Sequence, residues 1–191
     1  TNAYGAGLEK FNLFRNEQFD LESFEKSIDA MKSGKKVILL NFPNNPAGYT
    51  PTLEEVKGIV AILNREAEKG NKIVVVMDDA YFGLVYESGI EKQSVFSYLA
   101  GLHENLLAIK VDGATKEDYV WGFRVGFITY GIKSGSKELY NSLESKTAGA
   151  VRGNISNACN LSQSLLLSAF STEGYQSEKS EKYQILSSRY K

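Results

Sequence analysis

The sequence predicts an α/β fold of three layers, with a mainly parallel sheet and helices on both of its faces. Short, continuous apolar runs, which are typical of buried strands, alternate with stretches in which apolar residues recur every three or four positions, as in amphipathic helices. One strand, at 124–130, is expected to be antiparallel. Only the residues at 112–123 separate it from the run at 106–111, and none of them has a helical pattern, which is marginal for the crossover that parallel strands need.

Five apolar runs are expected to be strands. Those at 37–42 and 72–77 are continuous, which is typical of strands buried on both faces. The run at 8–14 is predicted to be an edge strand, and the runs at 106–111 and 124–130 flank a turn of small residues that contains Lys116.

Capping signals mark the predicted helices. Asp20 is expected to cap a helix that Gly34 ends, and Thr52 with Glu55 forms a capping-box pattern for a helix that stops near Gly70. Four further helices are expected, a short one at 94–101 and three after residue 133, the last of them at 175–191.

Composition limits the classes of function. The 22 basic and 23 acidic residues leave a net charge of −1, which gives no electrostatic case for binding nucleic acid or an acidic membrane surface. No apolar run approaches the roughly 20 residues that a membrane-spanning helix needs. The single histidine, His103, argues against a histidine zinc site or a Ser-His-Asp triad. The single cysteine, Cys159, excludes an intrachain disulfide and a cysteine-rich metal site and fits a reducing compartment, so we expect a cytoplasmic protein.

Polar residues follow the ends of the predicted strands. Ligands of open α/β sheets bind outside the carboxyl ends of the strands, where the sequence places Asn45, Asp78 and Lys116. A reversed strand would bring Arg124 to the same edge. A lysine there can form an imine with a carbonyl compound while an arginine holds an anion. Each residue also has an ordinary interpretation: a turn for Asn45, a helix cap for Asp78, a solvated loop for Lys116, and for Arg124 a surface pairing with Glu117 or Asp118.

The order of three motifs resembles that of a known family. Asn45-Pro-Ala-Gly48, Asp78-Asp-Ala-Tyr81, and Lys116 followed after eight positions by Arg124 are similar to motifs of the fold-type I pyridoxal-phosphate enzymes, the class I/II aminotransferases. The resemblance covers roughly residues 40–131. It implies the large-domain fold of these transferases, the cofactor pyridoxal 5'-phosphate, and transfer of an amino group from an amino acid to a 2-oxo acid.

The resemblance also implies roles for single residues. Lys116 corresponds to the lysine that forms an imine with the cofactor aldehyde and later moves the substrate proton, which requires an unprotonated amine. Asp78 corresponds to the carboxylate that pairs with the pyridinium nitrogen. Asn45 and Tyr81 correspond to the pair that hydrogen-bonds the ring 3' oxygen. Arg124 corresponds to the phosphate anchor, a role that suits its planar fork of donors.

The sequence departs from the family pattern at several positions. Ala47 replaces the usual threonine of Asn-Pro-Thr-Gly. Gly113 stands where the family often has a serine or threonine phosphate ligand, so that Thr115 or backbone N–H groups take over, or the phosphate is held more weakly. Asp79 is interpreted as a helix N-cap. Trp121 is interpreted as a residue of the core, with the alternative that it lines the substrate side together with Tyr119.

Two segments expected of the family are not visible in this sequence. One is an earlier stretch that cups the phosphate and stacks an aromatic ring on the cofactor. The other is a C-terminal small domain with an arginine for the substrate carboxylate. We therefore expect residues 1–174 to be part of the cofactor-binding large domain, residues 175–191 to lead towards the small domain, and the full-length protein to be a homodimer.

Other functions remain open at this point. A carbon–sulfur β-lyase, a decarboxylase or a synthase could share these residues, because the reaction depends on which Cα bond stands perpendicular to the cofactor ring. A non-catalytic sensor domain fused to a helix-turn-helix transcription regulator is a different class. A purely structural module is disfavoured, since the sequence retains Lys116, Asp78 and Arg124 together.

Overall fold

The computed structural model describes residue 5 and residues 7–190 of the chain. Its strands are β1 (Phe14–Arg15), β2 (Gln18–Phe19), β3 (Lys35–Asn41), β4 (Lys72–Asp78), β5 (Leu106–Gly113) and β6 (Gly126–Gly131). Its helices are α1 (Leu21–Ala30), α2 (Leu53–Glu68), α3 (Phe96–Leu99), α4 (Ala114–Glu117), α5 (Lys137–Asn154), α6 (Asn160–Phe170) and α7 (Tyr175–Tyr190).

The main sheet has four strands in the order β3-β4-β5-β6. The β3–β4 and β4–β5 pairs are parallel, whereas β5 and β6 are antiparallel, with Val111 opposite Ile128 and Gly113 opposite Gly126. The predicted α/β class and the reversal of the last strand are therefore confirmed. The strand begins at Gly126, so Arg124 lies in the loop before it.

The capping signals act as predicted. Asp20 accepts a hydrogen bond from the backbone N–H of Ser23 at 2.9 Å and starts α1. Thr52 and Glu55 form a complete capping box at the start of α2. Each bond satisfies N–H groups that the first turn of a helix leaves without a partner.

One face of the sheet forms the core with α1, α2 and α3. Alternate residues of β3, β4 and β5 point to this face, as the pleat of a strand requires. They pack against apolar residues of the helices, and the buried set includes Phe24, Ile28, Ile38, Leu40, Ile59, Leu63, Ile73, Val75, Met77, Leu99, Leu106 and Ala108.

The opposite face is only partly covered, which corrects the prediction that 37–42 is buried on both faces. Val37 is 52% exposed and Leu39 is 64% exposed. Helix α5 reaches this face at its far end, where the Thr147 hydroxyl bonds to the Tyr130 hydroxyl of β6. An apolar run shows that both faces suit burial, but the covering layer comes from elsewhere in sequence, and even β6 remains largely exposed, with Ile128 at 46%.

Two local predictions were wrong. The run at 8–14 is not a strand beyond its last residue, because Phe11 and Leu13 pack their side chains against the core without strand pairing. Phe14–Arg15 instead forms a small hairpin with Gln18–Phe19. The 112–123 segment, expected to lack helix, contains the one-turn helix α4, which includes Lys116.

None of the helices in the described residues combines the length and the apolar character that a membrane span requires.

A buried ion pair ties α1, β3 and α2 together. Lys36 Nζ donates to Glu66 Oε2 at 2.7 Å and to the backbone carbonyl of Ile28 at 2.7 Å. The side chains of Lys36 and Glu66 are only 3% and 4% exposed. Asn71 also donates to Glu66, at 3.1 Å. A buried charge that loses its partner is costly, because the low-dielectric interior cannot solvate it.

We predict that Glu66→Ala lowers the free energy of unfolding by about 3–5 kcal/mol, since it leaves the Lys36 ammonium buried without its carboxylate. Glu54→Ala on the same helix is the matched control. It removes an exposed pair with Lys57 and should cost less than about 1 kcal/mol. Urea unfolding measures both, and equal losses would contradict the assignment.

Glycine is required where β5 ends against β6. A Cβ added to Gly113 would lie 2.6 Å from the carbonyl oxygen of Val125 and 3.1 Å from the Cα of Gly126. Both contacts are with backbone, so the neighbouring strand itself would have to move. The serine or threonine that the family often has at this position does not fit this strand pairing.

We predict that Gly113→Ser costs about 1–3 kcal/mol of stability by overpacking this strand contact. Gly122→Ser serves as the control, because a Cβ at Gly122 meets no atom within 4 Å in the same connection, and its effect should stay within about 0.5 kcal/mol. Thermal or urea unfolding distinguishes them, and a neutral Gly113→Ser variant would show that the strands can separate freely there.

Candidate active site

A cavity of about 230 Å³ lies where β4 and β5 end and where the loop leading into β6 passes beside them. It lies where the parallel strands have their carboxyl ends, as expected for ligand sites in such sheets. Its lining includes three of the predicted site residues and the small residues around them: Asp78, Ala80, Val111, Asp112, Gly113, Thr115, Lys116, Arg124, Val125 and Gly126.

Lys116 is placed by the short helix α4. Ala114, at the start of that helix, is fully buried and packs in a small apolar cluster with Val125 and with Leu166 of α6. The Lys116 side chain is half-buried and lines the cavity, and its Nζ lies 4.7 Å from the centroid of the Tyr81 ring. The amine is therefore held between the cavity and an aromatic face.

Arg124 lines the same cavity. Its backbone has a φ of 56°, the left-handed conformation that non-glycine residues seldom adopt. Its Nη1 donates to Thr115 Oγ1 at 3.4 Å and to the carbonyl of Trp121 at 3.3 Å. Guanidinium and hydroxyl thus lie side by side, as two donors suited to a phosphate.

The alternative partners of Arg124 are engaged elsewhere. Glu117 accepts a bond from Lys179 of α7 at 2.9 Å, and Asp118 accepts one from the same ammonium at 3.0 Å. Asp118 also bonds to the Tyr175 hydroxyl, and burial with this bond raises the pKa of Tyr175 to about 12. The surface pairing considered for Arg124 is therefore not what the structure shows.

Asp78 and the proline loop, residues 43–51, are linked by Asn41, a residue that the sequence analysis did not single out. Asn41 Nδ2 donates to the Asp78 carbonyl at 2.9 Å, and Asn41 Oδ1 accepts from the Asn45 backbone N–H at 2.8 Å. The only sequence signal was an asparagine that ends an apolar strand beside an asparagine-rich loop. Asp78 Oδ1 also accepts from the Ala80 N–H at 3.1 Å, which occupies one of its two carboxylate oxygens.

The structure brings the predicted site residues together unequally. Asp78, Lys116 and Arg124 line one cavity, and Tyr81 lies beside it in contact with Lys116. Asn45 is exposed on the proline loop and does not line this cavity. The proposed partnership of Asn45 with Tyr81 is therefore not visible in this arrangement.

Two interpretations of neighbouring residues were wrong. Trp121 is 62% exposed and is not part of the core, because its loop turns outward between α4 and β6. Asp79 does not cap a helix, since both of its carboxylate oxygens are buried without a hydrogen-bond partner. Burial, the largest cause, raises the pKa of Asp79 to about 6, although Lys110 acts in the opposite direction.

A larger cavity of about 660 Å³ lies between the β1–β2 hairpin, the proline loop and residues 84–90. Glu17, Glu55 and Glu87 contribute carboxylates to its lining, and the described residues add no lysine or arginine there. An anionic ligand therefore fits the smaller cavity better. There, an amine, a guanidinium and a hydroxyl, beside the carboxylates of Asp78 and Asp112, could bind a carbonyl compound that carries an anionic group.

Comparison with known proteins identifies the family. The family model for aminotransferase class I and II matches residues 1–191, the whole chain. The chain is 32% identical over 100 residues to a probable N-acetyl-LL-diaminopimelate aminotransferase of Bacillus subtilis, an alignment that covers 52% of this chain and 22% of that protein. It is 28% identical over 130 residues to the LL-diaminopimelate aminotransferase of Methanocaldococcus jannaschii, covering 67% of this chain and 28% of that protein.

Solved structures agree with the fold. An aminotransferase from Anaerococcus prevotii superposes with a TM-score of 0.82 at 26% identity, covering 96% of this chain and 45% of that chain. An aromatic-amino-acid aminotransferase from Burkholderia pseudomallei, covalently bound to pyridoxal phosphate, has a TM-score of 0.68 at 17% identity, covering 90% of this chain and 41% of that one. The present chain thus spans less than half the length of these relatives. With a family match over its whole length, the chain belongs to the class I and II aminotransferases.

Proposed function

We propose that the full-length protein is a pyridoxal-phosphate-dependent aminotransferase that moves an amino group from an amino acid to a 2-oxo acid. The observation that carries the proposal is the convergence of Asp78, Lys116 and Arg124 on one cavity, from three separate segments of the chain. Family membership and the fold of the solved relatives support it.

The donor set fits the proposed cofactor. Arg124 and Thr115 offer a guanidinium and a hydroxyl within 3.4 Å of each other, which suits the three oxygens of a phosphate. Lys116 offers an amine that can attach an aldehyde covalently. Asp78 offers a carboxylate at the end of β4 that can hold a proton on the ring nitrogen.

Bound at this site, pyridoxal phosphate would supply an electron sink for the negative charge that develops at the substrate Cα. The chain would supply the proton transfer. Once the substrate amine has displaced Lys116 from the cofactor, the freed Lys116 amine would take a proton from the substrate Cα and deliver it to the cofactor carbon on the other side of the substrate nitrogen. Tyr81, whose ring lies 4.7 Å from the Lys116 Nζ, is the proposed hydrogen-bond partner of the ring 3' oxygen, together with Asn45 from the loop that Asn41 holds.

The proposal extends to the organisation of the whole protein. Residues 1–174 would belong to the cofactor-binding large domain, and residues 175–191 would lead towards a small domain that helps select the substrate. Helix α7 fits this role because Lys179 ties it to Glu117 and Asp118, directly after the proposed catalytic lysine. We further propose a homodimer in the cytoplasm, where the exposed thiol of Cys159 would remain reduced.

We predict that full-length protein mixed with pyridoxal phosphate is yellow, and that borohydride fixes the cofactor on Lys116. Lys116→Ala should abolish this labelling, because the amine that forms the covalent bond is gone. Lys133→Ala, which removes an exposed lysine after β6, is the control and should label normally. Peptide mass mapping reads the result, and a Lys116→Ala protein labelled on another lysine would defeat the assignment.

The reaction type is tested on the same protein with a panel of amino acids. Conversion of the bound cofactor to its pyridoxamine form, with release of a 2-oxo acid, supports transamination. Pyruvate and ammonia from a β-substituted amino acid would indicate a lyase, and carbon dioxide release would indicate a decarboxylase. Binding of an amino acid without turnover would indicate a sensor domain.

We predict that Thr115→Val weakens binding of pyridoxal phosphate by roughly tenfold to a hundredfold, as expected for one lost hydrogen bond to a charged group. Thr115→Ser keeps the hydroxyl and is the matched control. Dissociation constants for pyridoxal phosphate and for pyridoxal, which lacks the phosphate, give the measurement. Equal weakening for both compounds would show that Thr115 does not contact the phosphate.

A further inference from the structure

A second charged cluster adjoins the proposed site at the same sheet edge, and one of its members, Asp112, also lines the cavity. Lys110 Nζ forms an ion pair with Asp112, lies 4.0 Å from Asp79 Oδ2, and stands 4.4 Å from the centroid of the Phe82 ring. The side chains of Lys110, Asp79 and Asp112 are 16%, 1% and 13% exposed. None of these residues has a role in the proposed function so far.

The cluster connects the segments that carry the proposed catalytic groups. Asp79 directly follows Asp78, and Phe82 directly follows Tyr81. Asp112 lies at the end of β5, just before the Gly113 contact with β6 and the helix of Lys116. The backbone N–H of Asp79 also donates to the Val111 carbonyl at 2.9 Å, which joins the two strand ends.

The cluster is poorly arranged for stability. Two carboxylates share one ammonium, and both oxygens of Asp79 and Oδ1 of Asp112 are buried without a hydrogen-bond partner. Burial raises the pKa of Asp79 to about 6; Asp112 and Asp78 add to the rise, while the Ser94 hydroxyl and Lys110 reduce it. Because the folded-state pKa is raised, the ionised group costs stability fully above about pH 6, and the cost disappears below the ordinary value of 3.8.

A buried charged group that costs stability is a candidate for a functional role, because perturbed carboxylates cluster at active sites. Here the arrangement of charges suggests a role in positioning neighbouring residues. One ammonium attracts a carboxylate from each of two neighbouring strand ends and lies over the aromatic ring of the turn that carries Tyr81. Removing it would leave Asp79 and Asp112 to repel each other across the β4–β5 junction.

We propose that Lys110 is a positioning residue for the reaction, which sets the separation of Asp78 and Lys116 by holding Asp79 and Asp112 on one ammonium. Lys110 acts through these neighbours and not by contact with the cofactor. This inference rests on the proposed function, because Asp78 and Lys116 are taken as the groups that bind the cofactor ring and aldehyde.

The test uses full-length protein loaded with pyridoxal phosphate and compares Lys110→Met with Lys110→Arg. The readouts are the pH midpoint of the visible absorbance of lysine-bound cofactor, and kcat separately from KM. We expect Lys110→Met to shift the midpoint by about one pH unit, which is a tenfold change in the protonation equilibrium. The same variant should lower kcat by at least about tenfold. Lys110→Arg, which retains the charge, should keep the midpoint near that of the wild type.

Lys36→Met is the matched control for stability alone, because it also removes a buried lysine from an ion pair, at the other end of β3. It should unfold more easily without moving the midpoint. If Lys110→Met does not fold, the double variant Lys110→Met/Asp79→Asn carries the test, since it removes the ammonium together with the more deeply buried of its two carboxylate partners. This double variant should fold and still show the shifted midpoint.

The outcomes separate the two proposals. A wild-type protein that shows no visible band with pyridoxal phosphate overturns the proposed function. A normal wild-type band together with an unchanged midpoint and kcat in Lys110→Met, or in the double variant, overturns the positioning role of Lys110 alone. A shifted midpoint that Lys110→Arg restores supports it.

Discussion

The antiparallel contact between β5 and β6 is the constraint on which the candidate site depends. Gly113 faces Gly126 across this pair, and a side chain at Gly113 would collide with the Val125 backbone. Because β6 begins next to the end of β5, the loop before β6 lies at the carboxyl end of β5, and Arg124 lies beside Thr115 and Lys116. A parallel strand would have entered at the opposite edge of the sheet and carried the arginine away from the lysine.

Cationic and acidic side chains occupy different positions around this edge. The cations Lys116 and Arg124 face the cavity, while the acidic pair that follows Lys116 is bonded to Lys179 of α7. This pairing engages the two anions closest in sequence to Lys116, so that Arg124 remains available to a phosphate. At the same edge, Lys110 holds the carboxylates of Asp79 and Asp112.

Stability and function are supplied by different parts of the chain. The core between the sheet and α1–α3 is packed with apolar residues, and the Lys36–Glu66 pair inside it is hydrogen-bonded to the Ile28 carbonyl and to Asn71. The site edge instead contains a buried carboxylate without a hydrogen-bond partner at Asp79 and a strained backbone at Arg124. Such local costs are tolerated where the rest of the fold over-determines the conformation. The exposed apolar face at Val37 and Leu39 accords with a chain that spans less than half the length of its solved relatives.

The sequence by itself determined the α/β class, the caps at Asp20 and Thr52, the reversal of β6 and the edge that carries Asp78, Lys116 and Arg124. These features follow from periodicity, capping chemistry and connection length, which act between residues close in sequence. The motif resemblance had already indicated the family. Only the tertiary structure showed that Asn41 joins two loops, that Asn45 lies outside the cavity, that Trp121 is exposed and that Asp79 is buried beside Lys110. Each of these depends on contacts between segments distant in the chain, where packing, and not local pattern, decides which polar groups meet a partner.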